Sequence, residues 1–166
     1  MDKKETSRPC SRQAVLILDN IRSVLNVGSI FRTADAFGIS KIYICGITPA
    51  PIDRFGRKRK DLHKTALGAE DSVEWEQIEN ALEKIIELKK EHFKIISLEQ
   101  SPNSIDYKNS TLSEKVAIVL GSETEGVAED ILKLSDEIAE IKMHGKKESL
   151  NISVATGIFL SKILNI

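Results

Sequence analysis

Short apolar runs alternate with helix-like stretches along the 166 residues, and few folds accommodate such an order. The apolar runs have the length and β-branched content of buried strands, and they lie at residues 14–18, 41–45, 93–98, 116–120 and 137–141. Segments with helical spacing of apolar residues separate most of them, at residues 26–37, 75–91, 127–134 and 151–164. This order predicts an α/β domain with a mostly parallel sheet covered by helices on both faces.

Size and composition limit the domain organisation and the setting. A chain of 166 residues predicts one domain, spanning residues 1–166, with a flexible N-terminal segment at residues 1–13 and a long loop at residues 46–63. No apolar stretch approaches the ~20 residues of a membrane helix, so we expect no membrane association. Two cysteines, Cys10 and Cys45, are too few for a disulfide framework, which favours a reducing, cytoplasmic location.

The net charge of −1 conceals an uneven distribution along the chain. Residues 1–64 hold 13 Lys/Arg and 6 Asp/Glu, whereas residues 65–166 hold 11 and 19. The first part therefore carries +7 and the second −8. A net charge near zero over the whole chain is therefore compatible with a basic face that binds nucleic acid.

Three polar loops follow predicted strands, at the edge where parallel α/β sheets bind ligands. After the first strand, Asn26, Ser29 and Arg32 share one side of a helix start, which suits a phosphate or a hydroxyl group. The alternative is that Asn26 only caps the helix and Arg32 pairs with a surface acid. The second loop, at residues 121–126, is weak evidence by itself. In the third, at residues 141–155, Ser149 could simply cap the last helix, but Asn151 and Ser153 add polar groups in its first turn, which favours a binding role.

Together the three loops resemble the three motifs of the SpoU (TrmH-like) branch of the SPOUT RNA methyltransferases. The first motif is matched by residues 26–30 and 32–34, the second by 120–123 with Gly126, and the third by 143–145 with 149–155. Motif order and spacing agree over residues 14–164, and residues 64–70 resemble a segment found between the first two motifs. Lys142 departs from the pattern, because the family usually has proline there, and a loss of proline reduces loop rigidity.

The resemblance implies methyl transfer from S-adenosylmethionine to a ribose 2′-hydroxyl in tRNA or rRNA, without a metal ion. It also implies a sheet whose C-terminal part forms a deep trefoil knot, and a homodimer whose active site is completed across the interface. The apolar final helix fits either a dimer interface or a buried core helix.

Roles for individual residues follow from the match to the motifs. Arg32 is expected to contact the phosphate of the target nucleotide and to orient the oxygen that receives the hydroxyl proton. Asn26, Ser149 and Asn151 are expected to hold the ribose and the methionine end of the cofactor, and Glu123 to organise the loops by holding Asn26 or Arg32. The expected cofactor-binding residues are Leu120, Gly121, Ser122, Glu123, Ile141, Met143, Ser149, Leu150 and Asn151.

A basic stretch at residues 53–64 is a second candidate for contact with RNA, with Phe55 available for stacking on a base. Its basic residues are Arg54, Arg57, Lys58, Arg59, Lys60 and Lys64. The alternative is an ordinary solvated loop.

Two other functions compete with methyl transfer: a catalytically silent RNA-binding protein on the same scaffold, and an α/β enzyme unrelated to RNA. The first predicts loss of the reacting residues, and the second predicts a phosphate loop or a catalytic dyad that the sequence lacks. Because the first strand begins near residue 14, no separate RNA-binding domain is expected before it, and this slightly favours tRNA as the substrate.

Overall fold

A seven-stranded sheet forms the centre of the molecule in the computed structural model, which describes residues 12–166. The strands are β1 (Gln13–Asp19), β2 (Lys41–Cys45), β3 (Glu74–Ile78), β4 (Lys94–Leu98), β5 (Ile105–Asp106), β6 (Lys115–Leu120) and β7 (Glu137–Glu140). The helices are α1 (Val24–Phe37), α2 (Lys60–Ala66), α3 (Ala69–Ser72), α4 (Ala81–Lys90), α5 (Glu129–Leu134) and α6 (Ile152–Leu164). Every strand pairing is parallel, which confirms the predicted α/β class.

Two hydrophobic cores flank the sheet because neighbouring residues of a strand point to opposite faces. Leu16 and Leu18 of β1 pack with α1, α2 and α6, whereas Val15 and Ile17 pack with α4 and α5. The final helix is part of the first core through Phe159, Leu160, Ile163 and Leu164. Both faces of the sheet are therefore covered, and the central strands are buried along nearly their whole length.

The strand order β3-β2-β1-β6-β4-β7-β5 determines which loops meet. Strand β6 lies between β1 and β4, with Leu18 opposite Leu120, and Leu98 of β4 is opposite Ala139 of β7. The carboxyl ends of β1, β6, β4 and β7 are thus neighbours at one edge, although their loops are up to about 120 residues apart in sequence.

Residues 75–91 are not one helix, so this prediction was wrong. Residues 74–78 form β3, which adds to the outer side of β2 with Lys41 opposite Glu74. Lys41 Nζ forms ion pairs with Glu74 at 3.1 Å and Glu76 at 2.8 Å. The helix begins only at Ala81, where the Asn80 side chain accepts hydrogen bonds from the backbone N–H groups of Leu82 and Glu83.

The predicted loop at residues 46–63 ends earlier than expected, because α2 begins at Lys60. Leu62 and Ala66 are its buried residues, and they pack against α1. An added Cβ at Gly28 of α1 would lie 2.5 Å from the carbonyl oxygen of Leu62, so glycine allows the two helices to approach closely. The two-residue strand β5 was also not predicted, since its pattern is too short to recognise.

The N-terminal prediction falls largely outside the described residues, which begin at Arg12; Gln13 already belongs to β1. Cys10 also lies outside them. Cys45 is buried, and burial together with nearby Asp19 raises the pKa of its thiol to about 12. Between residues 12 and 166, no helix is long and apolar enough to cross a membrane.

Candidate active site

A cleft of about 640 Å³ opens at the carboxyl edge of the sheet, within the size range of small-molecule sites. Its walls are the loops after β4, β6 and β7 and the first turns of α1 and α6. The apolar side chains that line it include Leu98, Leu132, Ala139 and Ile141. Its charged lining consists of four carboxylates, Glu99, Glu123, Glu125 and Glu140, with no lysine or arginine among the lining residues.

Glu123 joins the second loop to the first. Its Oε2 atom accepts a hydrogen bond from the backbone N–H of Arg22 at 2.9 Å, and Oε1 accepts one from the backbone N–H of Ser23 at 3.2 Å. The Asn26 side-chain amide donates a third bond to Oε1 at 3.1 Å. Of the two predicted partners of Glu123, Asn26 is therefore the one in contact. These bonds hold the start of α1 against the loop that follows β6.

Asn26 also joins the first loop to the third. Asn151 donates from its side-chain amide to Asn26 Oδ1 at 3.1 Å, so an unbroken chain of side-chain hydrogen bonds connects Glu123, Asn26 and Asn151. Asn26 thus shares one network with two residues that lie 97 and 125 positions further along the sequence. All three line the cleft.

The residues that cap α1 and α6 are Ser23 and Asn151, and not Asn26 and Ser149. Ser23 caps α1, and its Oγ atom accepts from the backbone N–H of Asn26, so the side chain of Asn26 is left for the network. Asn151, not Ser149, caps α6 by accepting from the backbone N–H of Ser153 at 2.9 Å. Ser149 lies before the cap, exposed on the cleft lining.

The turn after β6 depends on close backbone contact. Ser122 and Gly126 exchange backbone hydrogen bonds of 3.2 and 2.9 Å, and a Cβ added at Gly121 would lie 2.4 Å from the carbonyl group of Gly126. Glu99 secures the far side of this turn by accepting from the backbone N–H of Val127 at 2.8 Å. Gly126 has a backbone φ of +71°, a left-handed conformation that favours glycine.

Arg32 lies apart from the cleft of its own chain. It is exposed on α1 and is not among the lining residues. With a rise of ~1.5 Å per residue, it stands about 9 Å along the helix from Asn26. The surface-acid alternative is not seen, since no ion pair between residues 12 and 166 involves Arg32.

Of the nine predicted cofactor-binding residues, the structure places eight along the cleft. The exception is Leu120, which is fully buried in the core beneath it. The three motifs did not indicate Glu99 and Gln100, which follow β4 and line the cleft. The side-chain amide of Gln100 donates a hydrogen bond to the carbonyl oxygen of Glu148 at 2.8 Å. The signal that could have found them is their position directly after a buried parallel strand.

The basic stretch consists of a hairpin at residues 52–59, here called the basic hairpin, and the first residues of α2, which begins at Lys60. Asp53 Oδ1 accepts from the backbone N–H groups of Phe55 at 2.8 Å and Arg57 at 2.9 Å, and Ile52 pairs with Lys58. Three of its cations form ion pairs: Arg57 with Asp53, Lys58 with Asp71, and Arg59 with Asp61. The ring of Phe55 at the tip is 66% exposed, with the guanidinium groups of Arg54 and Arg57 about 5 Å from its centre.

Glu123→Gln is expected to weaken the acid sensitivity of folding. Burial opposes ionisation of Glu123, but hydrogen bonds from Arg22, Asn26 and Ser23 prevail and lower its pKa. A carboxylate with a lowered pKa stabilises the fold above its unfolded pKa of 4.5, and this contribution is lost as the pH falls through the folded value. Glutamine also places an amide near backbone donors. We expect the variant to be less stable at pH 6.

Urea unfolding at pH 6 and pH 3 tests this expectation. The stability difference between wild type and Glu123→Gln should shrink from pH 6 to pH 3, because the contribution of the wild-type carboxylate is lost as the pH falls below the unfolded pKa and through the lowered folded pKa. An equal difference at both pH values would contradict it. Glu125→Gln, in the same loop but without these bonds, is the matched control.

Comparison with known proteins gives a consistent result. The model of the SpoU rRNA Methylase family matches residues 13–161. Two relatives are a tRNA (guanosine(18)-2′-O)-methyltransferase from Aquifex aeolicus, 29% identical over 157 residues, and a 23S rRNA (guanosine-2′-O-)-methyltransferase from Nitrosomonas europaea, 33% identical over 147. The alignments cover 95% and 88% of this chain, but 71% and 54% of those relatives.

A solved structure shares the fold. The rRNA methyltransferase from Sinorhizobium meliloti, crystallised with S-adenosylmethionine (AdoMet) bound, superposes with a TM-score of 0.81 and 25% identity. The match covers 93% of this chain and 57% of that one.

Proposed function

Because the chain belongs to the SpoU rRNA methylase family, we propose that it transfers a methyl group from S-adenosylmethionine to a ribose 2′-hydroxyl of tRNA or rRNA. The observation that carries this proposal is the hydrogen-bonded chain Glu123–Asn26–Asn151, which joins all three motif loops beside the cleft. The C-terminal trefoil knot predicted from the resemblance follows from the shared SPOUT fold. A role in RNA modification also agrees with the cytoplasmic location predicted from the cysteine content.

The cleft fits S-adenosylmethionine in both polarity and charge. Leu98, Leu132 and Ile141 offer an apolar surface for an adenine ring. The carboxylates of the lining favour the positively charged sulfonium and ammonium groups of the cofactor. The backbone N–H groups at the start of α6, with the side chains of Ser149 and Asn151, provide donors for its carboxylate. We therefore propose that the cofactor-binding residues predicted from the motifs bind S-adenosylmethionine, except Leu120, which is buried in the core beneath the cleft.

Methyl transfer at this site requires positioning and removal of one proton. The cofactor supplies a methyl group activated by the neighbouring positive charge, so the protein has to orient the ribose hydroxyl for in-line attack. Asn26, Ser149 and Asn151 orient the ribose and the methionine end. Arg32 binds the target phosphate and aims one of its oxygens at the hydroxyl proton, because a guanidinium is normally fully protonated and is a poor base. Glu123 positions Asn26.

We propose a homodimer that pairs the α1–α6 surface. Asn26 contacts Asn151 where the two helices begin, and a Cβ at Gly157 would lie 3.9 Å from Thr33, so the helices run side by side. Apolar side chains are exposed on this surface: Leu25 at 49%, Leu150 at 39% and Val154 at 50%. Since Arg32 does not line its own cleft, a second copy that brings its Arg32 to this site completes the active site.

Val154→Asp is expected to turn the dimer into a monomer, because it places a charge at the centre of the proposed apolar contact. Sedimentation velocity at micromolar concentration measures the change, and wild type should sediment at twice the chain mass. Lys162→Asp, also exposed on α6 but in its last turn, is the control. Monomeric wild type, or an unchanged dimer in Val154→Asp, would contradict this interface.

The basic hairpin is proposed to bind RNA phosphates, with Phe55 stacking on an unpaired base. Arg54 on the hairpin and Lys60 and Lys64 on α2 form no ion pair among residues 12–166, so changing them leaves the three ion pairs of the basic stretch in place. We expect Arg54→Gln/Lys60→Gln/Lys64→Gln to weaken tRNA binding about tenfold and to flatten its salt dependence. Cofactor affinity should not change. Filter binding over a salt series measures the RNA affinity and its salt dependence. Unchanged RNA affinity would contradict the proposal.

The decisive test of the function is incubation with labelled cofactor and unmethylated total RNA, followed by mass spectrometry of the digested nucleosides. A 2′-O-methylated nucleoside in tRNA or rRNA supports the proposal. Methylation of a base would refute the assigned reaction. RNA binding without any transfer would favour the catalytically silent scaffold, against which stands the presence of all five residues of the catalytic set: Asn26, Arg32, Glu123, Ser149 and Asn151.

A further inference from the structure

The segment between β7 and α6 has two different sides. Exposure alternates along its first residues: Ile141 and Met143 are partly buried and line the cleft, whereas Lys142 and His144 are exposed. An extended chain produces this alternation because successive side chains point in opposite directions. The residues that follow, from Gly145 to Asn151, are all exposed. One side of the segment therefore belongs to the cofactor cleft, and the other forms its outer rim.

Three lysines of this segment are exposed and do not line the cleft: Lys142, Lys146 and Lys147, here called the lysine rim. None of them forms an ion pair within the part of the chain that the structure describes. In the basic hairpin, by contrast, three cations are paired with aspartates. The lysine rim thus presents unpaired positive charge on a loop that lines the cleft, and Glu148 is the one acidic residue between Lys142 and Asn151.

The cleft has the opposite charge. Four glutamates line it and no lysine or arginine does, so its interior favours a cation and repels a phosphate. A nucleotide whose ribose enters the cleft nevertheless carries a phosphate on each side. Those phosphates need cations outside the acidic lining but within a few ångströms of it. The lysine rim satisfies this condition, since Lys142 lies between two residues that line the cleft and Lys147 is two residues from Ser149.

We propose that the lysine rim binds the RNA phosphates that flank the target nucleotide. This rests on the proposed function and adds to it a second RNA contact, separate from the basic hairpin and adjacent to the reacting ribose.

The test compares Lys146→Gln/Lys147→Gln with Lys90→Gln/Lys133→Gln, which removes the same charge from exposed positions on α4 and α5. Binding of an unmodified tRNA transcript is measured by fluorescence anisotropy over a salt series, and binding of S-adenosylmethionine by calorimetry. We expect the rim variant to bind the tRNA about tenfold more weakly at 0.1 M salt, with a log–log salt slope reduced by about 1.4 for two phosphate contacts. Adding Lys142→Gln should reduce the slope further. Cofactor affinity should stay unchanged.

These measurements separate the inference from the function on which it rests. Equal RNA affinity and equal salt slope in the rim and control variants would overturn the inference, even if the wild type methylates RNA normally. Loss of cofactor affinity in the rim variant would also overturn it, because the lysines would then support the cleft itself. A wild type that binds the transcript but transfers no methyl group would count against the proposed function, and the comparison of the two variants would still decide the inference.

Discussion

Arg32→Ala is expected to lower kcat/KM for RNA methyl transfer at least about 100-fold, the range found when one group that stabilises transition-state charge is removed. The guanidinium binds the target phosphate through several donors, and alanine offers none. Folding should be unaffected, since Arg32 is exposed and forms no ion pair among residues 12–166. Initial rates with labelled cofactor and thermal unfolding measure the two effects.

A matched control is Arg12→Ala, because Arg12 is also exposed but precedes β1 at the opposite edge of the sheet. Activity in that variant should equal wild type. Arg32→Lys keeps the charge but loses the planar set of donors, so we expect only partial recovery. Full activity in Arg32→Ala would refute the assigned role.

Mixing two inactive variants tests whether Arg32 serves the partner's site. In a dimer of Arg32→Ala with Asn151→Ala, a site built from Arg32 of one chain and Asn151 of the other occurs once in intact form. Mixed dimers should therefore regain transfer that neither variant shows alone. No recovery would indicate that Arg32 acts within its own chain.

Gly121→Ala is expected to weaken S-adenosylmethionine binding about 100-fold, or about 2.7 kcal/mol. The added methyl group would lie 2.4 Å from the carbonyl carbon and oxygen of Gly126 and 2.5 Å from the nitrogen of Val127. These are backbone atoms, so the turn after β6 has to open. Opening moves Glu123 away from Asn26 and separates the loops that form the cleft. Calorimetry with the cofactor measures the loss.

Gly145→Ala provides the control for this substitution. Gly145 belongs to the loop after β7, yet an added Cβ there meets no atom within 4 Å and its φ is not positive. The same chemical change should leave cofactor affinity within twofold of wild type. Equal affinities in Gly121→Ala and wild type would show that the turn adjusts without cost, which would contradict the expectation.

Local patterns were sufficient for most of the fold. Strand β2 begins and ends where its β-branched run does, and β1, β4, β6 and β7 differ from prediction by one or two residues. The spacing of apolar residues indicates burial directly, because a buried strand needs apolar side chains whichever strands lie beside it. The prediction failed at β3 because most of its residues are exposed, so burial left no apolar pattern to recognise. This segment is a strand because it pairs with β2.

For the site, the amino-acid sequence was enough to show which loops carry polar groups, since each follows a recognisable strand. Which of these groups touch depends on how the chain folds. Insertion of β6 between β1 and β4 brings Glu123 within 3.1 Å of Asn26, 97 residues away, and places Glu99 behind the turn at Gly126. Parallel strands are joined by long crossovers, so the loops that become neighbours depend on the order of the strands in the sheet, which no local pattern encodes.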